Sequence, residues 1–147
     1  MKNKIGPSRK LLLALLAASL GGCGISSLYI DLDANYEDSE IWFEDPQQGW
    51  LTSHCVRNVT VTRIGMDDGR DESDPKMWQA SGLGAECLTG VPFRYGAMET
   101  PPDPDRRYTP VKPLKAGASY EIEVELSNGA GSGRFTIAED GSISNDG

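Results

Sequence analysis

The sequence predicts an all-β fold, an antiparallel β-sandwich of about six to eight short strands in one domain. Apolar and polar residues alternate through residues 28–33 and 119–126, as in strands with one buried face. No window carries a sustained apolar stripe with a period of 3.6 residues. The 147 residues include 17 Gly and 9 Pro, and turn-forming clusters interrupt the chain every several residues. We therefore expect very little helix.

The predicted strands follow one another along the chain. Leu28, Ile30 and Leu32 form the buried face of the first strand. Short apolar or β-branched stretches predict further strands, which cover residues 40–43, 56–64 and 76–80. Trp78 lies in the middle of the last of these and is a predicted core residue. Residues 119–126 place four apolar side chains on one face and three glutamates on the other, so one face is core and the other meets water.

A hairpin is predicted after this strand. Asn128, Gly129 and Gly131 are residue types that adopt positive φ in tight turns. Residues 134–138 then resume the alternation of apolar and polar side chains. We expect residues 119–126 and 134–138 to pair across this turn.

The first 22 residues are a predicted export signal. Four basic residues precede an apolar run at residues 11–20. As a helix this run would span about 15 Å, half of a roughly 30 Å hydrocarbon core. The run ends in Leu20-Gly21-Gly22-Cys23, which resembles the lipobox of bacterial lipoproteins. An ordinary secreted protein cleaved nearby is the alternative.

The resemblance to lipoproteins implies a lipid anchor on Cys23. This residue would become the new N terminus and carry a diacylglycerol thioether, usually with an amide-linked acyl chain such as palmitate. Gly24 is not the Asp that resembles an inner-membrane retention signal, which implies the outer membrane, facing the periplasm. Residues 23–27 are then a short linker, and the domain lies close to the bilayer.

The charge of the mature chain restricts its partners. Removal of the leader leaves 10 basic and 22 acidic side chains in 125 residues, a net charge of −12. Nucleic-acid binding is excluded, because it needs a basic face. We expect residues 28–138 to form the sandwich and residues 139–147, acidic and rich in Gly and Ser, to form a tail. No cofactor or resident metal is expected, since the chain has one His and no glycine-rich phosphate loop.

Cys55 and Cys87 are predicted to form a disulfide. An exported chain meets an oxidising compartment, where an even pair of cysteines is typically bridged. Closing a loop of about 33 residues stabilises a fold by roughly 3.5 to 4 kcal/mol in the chain-entropy model. A redox or metal-binding pair is the alternative, although the spacing is not C-x-x-C. His54, the only nearby imidazole, has no obvious partner in the sequence.

The segment from Leu114 to Val124, with the Gly117 turn and Tyr120, resembles the corner and penultimate strand of fibronectin type III and related immunoglobulin-like domains. The resemblance implies an immunoglobulin-like sandwich in which the Tyr120 hydroxyl binds backbone a few residues upstream. In antibody domains the disulfide joins the second and penultimate strands. Here Cys87 precedes Tyr120, so a bridge to Cys55 joins other elements.

A possible binding patch is formed by Trp42, Phe43 and Trp50, which flank a predicted turn at residues 45–49. Exposed aromatic residues dominate the binding energy of many protein interfaces. Packing of these side chains in the core is the alternative.

Acidic and proline-rich stretches are the remaining candidates. Asp31, Asp33 and Asn35 have the spacing that opens a calcium loop, but Gly and Glu are missing from its later positions, which favours a solvated strand end. Residues 67–74 concentrate five carboxylates, which favours a solvated loop over an ion site or a cation-binding loop. Residues 100–113 hold five of the nine prolines and should form an extended crossing or edge segment, with a docking role as the alternative.

Together these features predict a membrane-anchored envelope lipoprotein that acts as a non-enzymatic binding or accessory module. One alternative is an inhibitor or shield against a cationic envelope-directed protein, because a strongly acidic surface accelerates encounter with such a partner. A carboxylate-dependent carbohydrate-active enzyme, such as a glycan hydrolase, is a further alternative. No G-x-S-x-G elbow is present, and no catalytic residue is assigned.

Overall fold

The structure, a computed structural model, describes residues 27–48, 53–65, 75–82, 86–98 and 108–146. Within these ranges every regular element is a β-strand, which confirms the all-β prediction. The strands are β1 Leu28–Asp31, β2 Asp33–Glu37, β3 Glu40–Glu44, β4 Cys55–Arg63, β5 Lys76–Ser81, β6 Thr89–Gly90, β7 Phe93–Arg94, β8 Tyr108–Thr109, β9 Ala118–Leu126, β10 Gly129–Ile137 and β11 Ile143–Asn145. Over the same ranges, no helix has the length and hydropathy to cross a membrane.

The strands form two sheets. Sheet A has the order β1-β10-β9-β4-β5-β8, with β11 paired to β10 and β6 paired to β4. Sheet B has the order β2-β3-β7. Each strand pair is antiparallel except the first, in which β1 runs parallel to β10. The prediction of a purely antiparallel sandwich is therefore wrong at this pair, and sheet A is mixed.

The first predicted strand divides at Leu32 between the two sheets. β1 ends at Asp31 in sheet A, and β2 begins at Asp33 in sheet B. Leu32 is buried, and its N–H donates to the Ser132 carbonyl at 2.9 Å. Ile30 is buried while Tyr29 is exposed, as the alternation predicted. The N-terminal segment therefore belongs to both layers of the sandwich.

Aromatic side chains fill the space between the sheets. Phe43 of β3 lies 5.7 Å, between ring centroids, from Phe135 of β10 in an edge-to-face contact. Trp78 of β5 is fully buried, as predicted, and lies 6.4 Å from Phe93 of β7. Each of these pairs joins sheet A to sheet B, and such pairs add about 0.5–1.5 kcal/mol beyond the area they bury. Because Phe43 is 0% exposed, its predicted place in an exposed patch is wrong.

Three glycines on one face of β10 allow β1 to lie against it. An ideal Cβ on Gly129 would be 1.8 Å from the Leu28 carbonyl oxygen, and one on Gly133 would be 1.9 Å from the Leu32 carbonyl oxygen. On Gly131 it would be 2.5 Å from Cγ1 of Ile30. All three distances are shorter than van der Waals contact, so a side chain at any of these positions forces β1 outward.

The hairpin of β9 and β10 is present, but its turn differs from the predicted one. β10 pairs with β9 from Gly129 onward, and the connection is the two-residue loop of Ser127 and Asn128. Among the described residues, positive φ occurs only at Asp38, Ser39, Gly65, Gly96, Gly117 and Gly141. The predicted positive φ at Asn128, Gly129 and Gly131 is therefore wrong. The two glycines lie within a strand and are required because they lack a Cβ.

The predicted tail contains a strand. The chain turns at Gly141, where φ is +85°, and β11 returns to pair with β10. Hydrogen bonds from Ser142 to the Asp140 carboxylate stabilise this turn and lower the pKa of Asp140. The Asn145 side chain then pairs with both backbone groups of Ala34, at 2.8 and 3.1 Å. The sandwich thus extends beyond residue 138, and its last strand ties sheet A to β2.

The Tyr120 hydroxyl forms the hydrogen bonds that the fibronectin-like corner implies. It accepts the Lys115 N–H at 2.7 Å and lies 3.4 Å from the Lys115 carbonyl oxygen. Gly117, with φ +72°, forms the turn between the two residues. The ring of Tyr120 is fully buried and stacks on Phe135 at 5.4 Å. This corner fixes the segment that leads into β9.

The predicted disulfide is present between Cys55 and Cys87, whose Cα atoms are 5.2 Å apart. Cys55 is the first residue of β4 and pairs with Gly90 of β6. The bridge therefore holds the segment before β6 against the start of β4.

Replacement of Tyr120 by Phe should lower the free energy of unfolding by about 1–2 kcal/mol, because the Lys115 N–H loses its acceptor. Denaturant unfolding of the oxidised protein measures this loss. Tyr36→Phe is the matched control, since Tyr36 is 48% exposed, and it should change stability by less than about 0.5 kcal/mol. Equal stability of Tyr120→Phe and the parent protein would show that Tyr120 only packs.

Candidate binding groove

The sandwich has two poles, defined here by the direction of the N-terminal strands. At the N-terminal pole the Leu28 N–H donates to the Asn128 carbonyl, and the Ser127 N–H donates to the Cys55 carbonyl. β1 and then β2 run along β10 away from this pole, and the Asp38–Ser39 turn follows β2. At about 3.3 Å per residue, Leu28 and the turn lie up to about 30 Å apart. The turn marks the distal pole.

A groove of about 360 Å³ lies at the distal pole. One wall is the end of the β2–β3 hairpin, including Tyr36 and Ile41, and the opposite wall is residues 111–114. Arg94 and Tyr95 line it between these walls. Tyr36 and Val111 are two of the four large exposed hydrophobic side chains in the described ranges. The groove therefore gathers half of the exposed apolar side chains of this kind in one concave surface.

The Tyr95 hydroxyl fixes the wall formed by residues 111–114. It donates to the Lys112 carbonyl at 2.8 Å, and the Met77 carbonyl oxygen lies 3.1 Å from the same hydroxyl. The Lys112 N–H also donates to the Met77 carbonyl at 2.9 Å. Burial, with a smaller contribution from the neighbouring Tyr120, raises the pKa of Tyr95, so its hydroxyl remains a donor. A segment without regular secondary structure is thereby held in place.

Charged residues line the groove and lie beside it in the hairpin turn. Glu40 forms an ion pair with Arg94, with 2.5 Å between Oε1 and Nη1, so this cation is already neutralised. Glu37 and Asp38 are exposed and have no ion-pair partner within the described ranges. Lys112 is the other cationic residue that lines the groove. Two exposed carboxylates thus lie in the turn between the lining residues Tyr36 and Ser39, although neither carboxylate lines the groove itself.

The turn between β2 and β3 is strained. Asp38 has φ 51° and Ser39 has φ 68°, and Glu37 pairs with Glu40 on either side of them. Two consecutive positive-φ residues form the tight hairpin turn for which Asn and Gly are the favoured residues. Non-glycine residues in this region cost of order 1–2 kcal/mol each. Ser39 lines the groove, so the strain lies beside the candidate site.

At the N-terminal pole His54 has a partner that the sequence did not reveal. Its Nε2 lies 3.6 Å from Oδ2 of Asp45, and the two side chains are only 14% and 7% exposed. The other carboxylate oxygen of Asp45 accepts the Gln47 N–H at 2.8 Å. Both residues border a cavity of about 250 Å³ beside β1. The pair joins the end of β3 to the start of β4 and therefore links the two sheets.

A third concavity, of about 510 Å³, is lined by four carboxylates, of Asp31, Asp33, Glu121 and Asp146. Arg134 lines it as well, and its Nε donates to Glu121 at 3.0 Å. No three His, Cys, Asp or Glu side chains in the described ranges are grouped closely enough to hold a metal ion. We therefore assign no functional role to any of these four carboxylates.

The predicted site residues are dispersed in the structure. Trp42 is half-buried and pairs with Arg94 across β3 and β7. Trp50 and Cys23 lie outside the described residues, as do the acidic run at 67–74 and most of the proline-rich segment. The part of that segment that is described includes β8, a two-residue strand at the edge of sheet A, as predicted. Within the described residues the predicted aromatic patch is therefore divided, because Phe43 lies in the core and Trp42 is half-buried.

The calcium-like motif is also divided. Asp31 and Asp33 belong to strands of different sheets. The Asn35 amide donates to the Glu44 carboxylate on the neighbouring strand. The three side chains thus fit the predicted solvated strand ends.

Sequence reasoning missed the distal groove. Its walls come from three segments that are distant in the chain, and no local pattern joins Tyr36 to Val111. The only local signal was the pair of turn-type residues Asp38 and Ser39 between two alternating segments.

Replacement of Ser39 by Gly should raise the free energy of unfolding by about 0.5–1 kcal/mol, because Gly adopts positive φ without strain. Urea unfolding with an unchanged m-value would measure it. Ser53→Gly, at an exposed position without positive φ, should not stabilise the protein and serves as the control. A loss of stability in Ser39→Gly would contradict the account of strain.

Comparisons with protein-family models, with curated proteins and with solved structures find no match to this chain.

Proposed function

We propose that the chain is a lipid-anchored lipoprotein of the bacterial envelope that binds a cationic partner protein in the distal groove and catalyses no reaction. The observation that carries this proposal is a largely apolar groove at the pole opposite the N-terminal segment, next to a hairpin turn that carries two exposed carboxylates, Glu37 and Asp38. The partner is an extended segment in which basic residues flank an apolar core. Apolar side chains contact Tyr36 and Val111, and the basic residues meet Glu37 and Asp38.

The anchor in this proposal is lipid on Cys23, in the outer membrane and facing the periplasm. Its support is the resemblance of residues 20–23 to a lipobox behind a basic and apolar leader. Only four residues separate Cys23 from Leu28, the first residue of β1. A chain this short spans at most about 18 Å. The N-terminal pole would therefore face the bilayer and the groove would face away from it.

The chemistry of the groove favours a cationic peptide over a small ligand. Burying one aliphatic side chain against Tyr36 and Val111 contributes roughly 1.5–3 kcal/mol. The two exposed carboxylates of the adjacent turn, Glu37 and Asp38, add attraction that salt will screen. A surface with a net charge of −12 also attracts basic partners over long range. The groove thus combines an apolar contact for affinity with charges for selection.

An immunoglobulin-like strand order belongs to the same proposal. It is supported by the Tyr120 corner and by two sheets packed around an aromatic core. The parallel β1–β10 pair and the position of the Cys55–Cys87 bridge distinguish the domain from antibody-type domains.

An inhibitor or shield is the second form of this function. In that form the cationic partner is an envelope-directed protein whose basic segment is occupied by the groove. The exposed carboxylates of Glu37 and Asp38 in the turn beside the groove favour it, and the same contacts would be used.

A defined peptide tests the groove directly. The probe is a seven-residue peptide of two lysines, a Leu-Pro-Leu core and two lysines, titrated into the full-length protein in maltoside micelles. We expect saturable binding that weakens at high salt. Val111→Ser should weaken it about tenfold, because it removes about 1.4 kcal/mol or more of apolar contact.

Ile64→Ser is the matched control, because Ile64 is 42% exposed and Val111 is 40% exposed, yet Ile64 lies outside the groove. It should leave binding unchanged. The same peptide with glutamates in place of lysines should not bind. Equal weakening by the two variants, or equal binding of the acidic peptide, would contradict the proposed site.

A further inference from the structure

Arg57 occupies a β-bulge in β4. In the pairing of β4 with β9, Val56 is opposite Leu126 and Asn58 is opposite Glu125, so Arg57 is the extra residue between them. A bulge of this kind changes the direction of a side chain and is common beside functional sites. The direction of the Arg57 side chain is therefore set by this bulge, one of two register irregularities in β4.

The bulge puts Arg57 on the outer face of sheet A. Val56 and Val59 are both buried in the core, although they are three residues apart. The two residues between them therefore share the opposite face, where Asn58 donates to the exposed Glu125 carboxylate. Arg57 lies half-buried on this face beside them.

Among the residues that the structure describes, none forms an ion pair with the guanidinium of Arg57. Its Nε is buried and makes no hydrogen bond, and no carboxylate within the described ranges forms an ion pair with it. This is unexpected in a chain with 22 acidic side chains. A guanidinium remains charged and offers five N–H donors, and a buried donor without an acceptor is costly. Only Nε is among the buried unpaired atoms, so an acceptor from outside the chain would bind the two Nη groups of this guanidinium.

Arg57 lies near the N-terminal pole. It is two residues from Cys55, whose carbonyl accepts the N–H of Ser127 in the loop next to Leu28. Its own carbonyl accepts the Gly82 N–H at 2.8 Å, so the backbone of the bulge is fixed. The unpaired cation is therefore held on a rigid strand at the pole from which the N-terminal segment leaves.

We propose that Arg57 binds the phosphate group of a ligand at this pole. The planar fork of a guanidinium matches two phosphate oxygens, whereas an ammonium acts as a point charge. A lipid headgroup or a soluble phosphate ester can supply this group. The lipid source rests on the proposed anchoring through Cys23, which keeps headgroups at high effective concentration near this pole. The phosphate site itself rests only on Arg57 and the bulge.

The Arg57 Nε–Hε resonance of the full-length protein in maltoside micelles reports on this site. One arm titrates inorganic phosphate. A second arm compares micelles doped with phosphatidylglycerol and micelles doped with a diacylglycerol of the same acyl chains. We expect a saturable shift with phosphate, with phosphatidylglycerol or with both, and none with diacylglycerol. A shift in the phosphate arm alone assigns a soluble source, and one in the lipid arm assigns the headgroup.

Variants separate the site from general charge. Arg57→Lys keeps the charge and should weaken phosphate binding about tenfold, and Arg57→Gln should abolish it, both followed by backbone amide shifts of residues 55–59. Arg134→Gln removes a cation that already pairs with Glu121 and should leave binding unchanged. Absence of a saturable shift, equal binding of acetate, or equal weakening by Arg134→Gln would overturn the proposal. The phosphate arm does not depend on the anchor or the groove, so its failure is separate from theirs.

Discussion

The close approach of β1 to β10 is the constraint on which the arrangement of the two sheets depends. It exists because Gly129, Gly131 and Gly133 present no Cβ to the backbone and side chains of residues 28–32. With β1 held there, Leu32 is positioned between the layers, and β2 continues into sheet B beside Phe43 of β3. A larger side chain in the glycine row would displace both the first strand and the connection between the sheets.

The same constraint gives the domain a direction. Because β1 and β2 run along β10 as one extended path, the N-terminal segment leaves at one pole and the strained turn at Asp38 and Ser39 lies at the other. The apolar groove is at the second pole, whereas the unpaired Arg57 is near the first. The groove proposed for a cationic peptide and the arginine proposed for a phosphate therefore lie near opposite ends of this path.

The features that depend on neighbouring residues in the chain were predictable from the sequence. The alternation in residues 119–126 located β9, and the export context of Cys55 and Cys87 predicted their bridge. The prediction of positive φ at Gly129 and Gly131 was wrong, because a sequence does not distinguish a glycine needed for positive φ from one needed for the close approach of another strand. Phe43 was assigned to a surface because burial depends on which sheet lies opposite. The distal groove and the His54–Asp45 pair join distant segments, which no spacing reveals.

The depth of the two poles relative to a bilayer tests the orientation most directly. Single cysteines for spin labelling would replace Asn128 and Ser39 in the full-length protein, purified from membranes and reconstituted in vesicles. The proposed lipid on Cys23 and the bridge between Cys55 and Cys87 leave the introduced cysteine as the residue to be labelled. We expect the label at 128 to contact membrane-dissolved oxygen and the label at 39 to lie up to about 30 Å farther out, exposed to a water-soluble nickel complex. With Cys23→Ala neither label should sense the bilayer. Equal depth of the two labels, or a label at 39 closer to the membrane, would contradict the account.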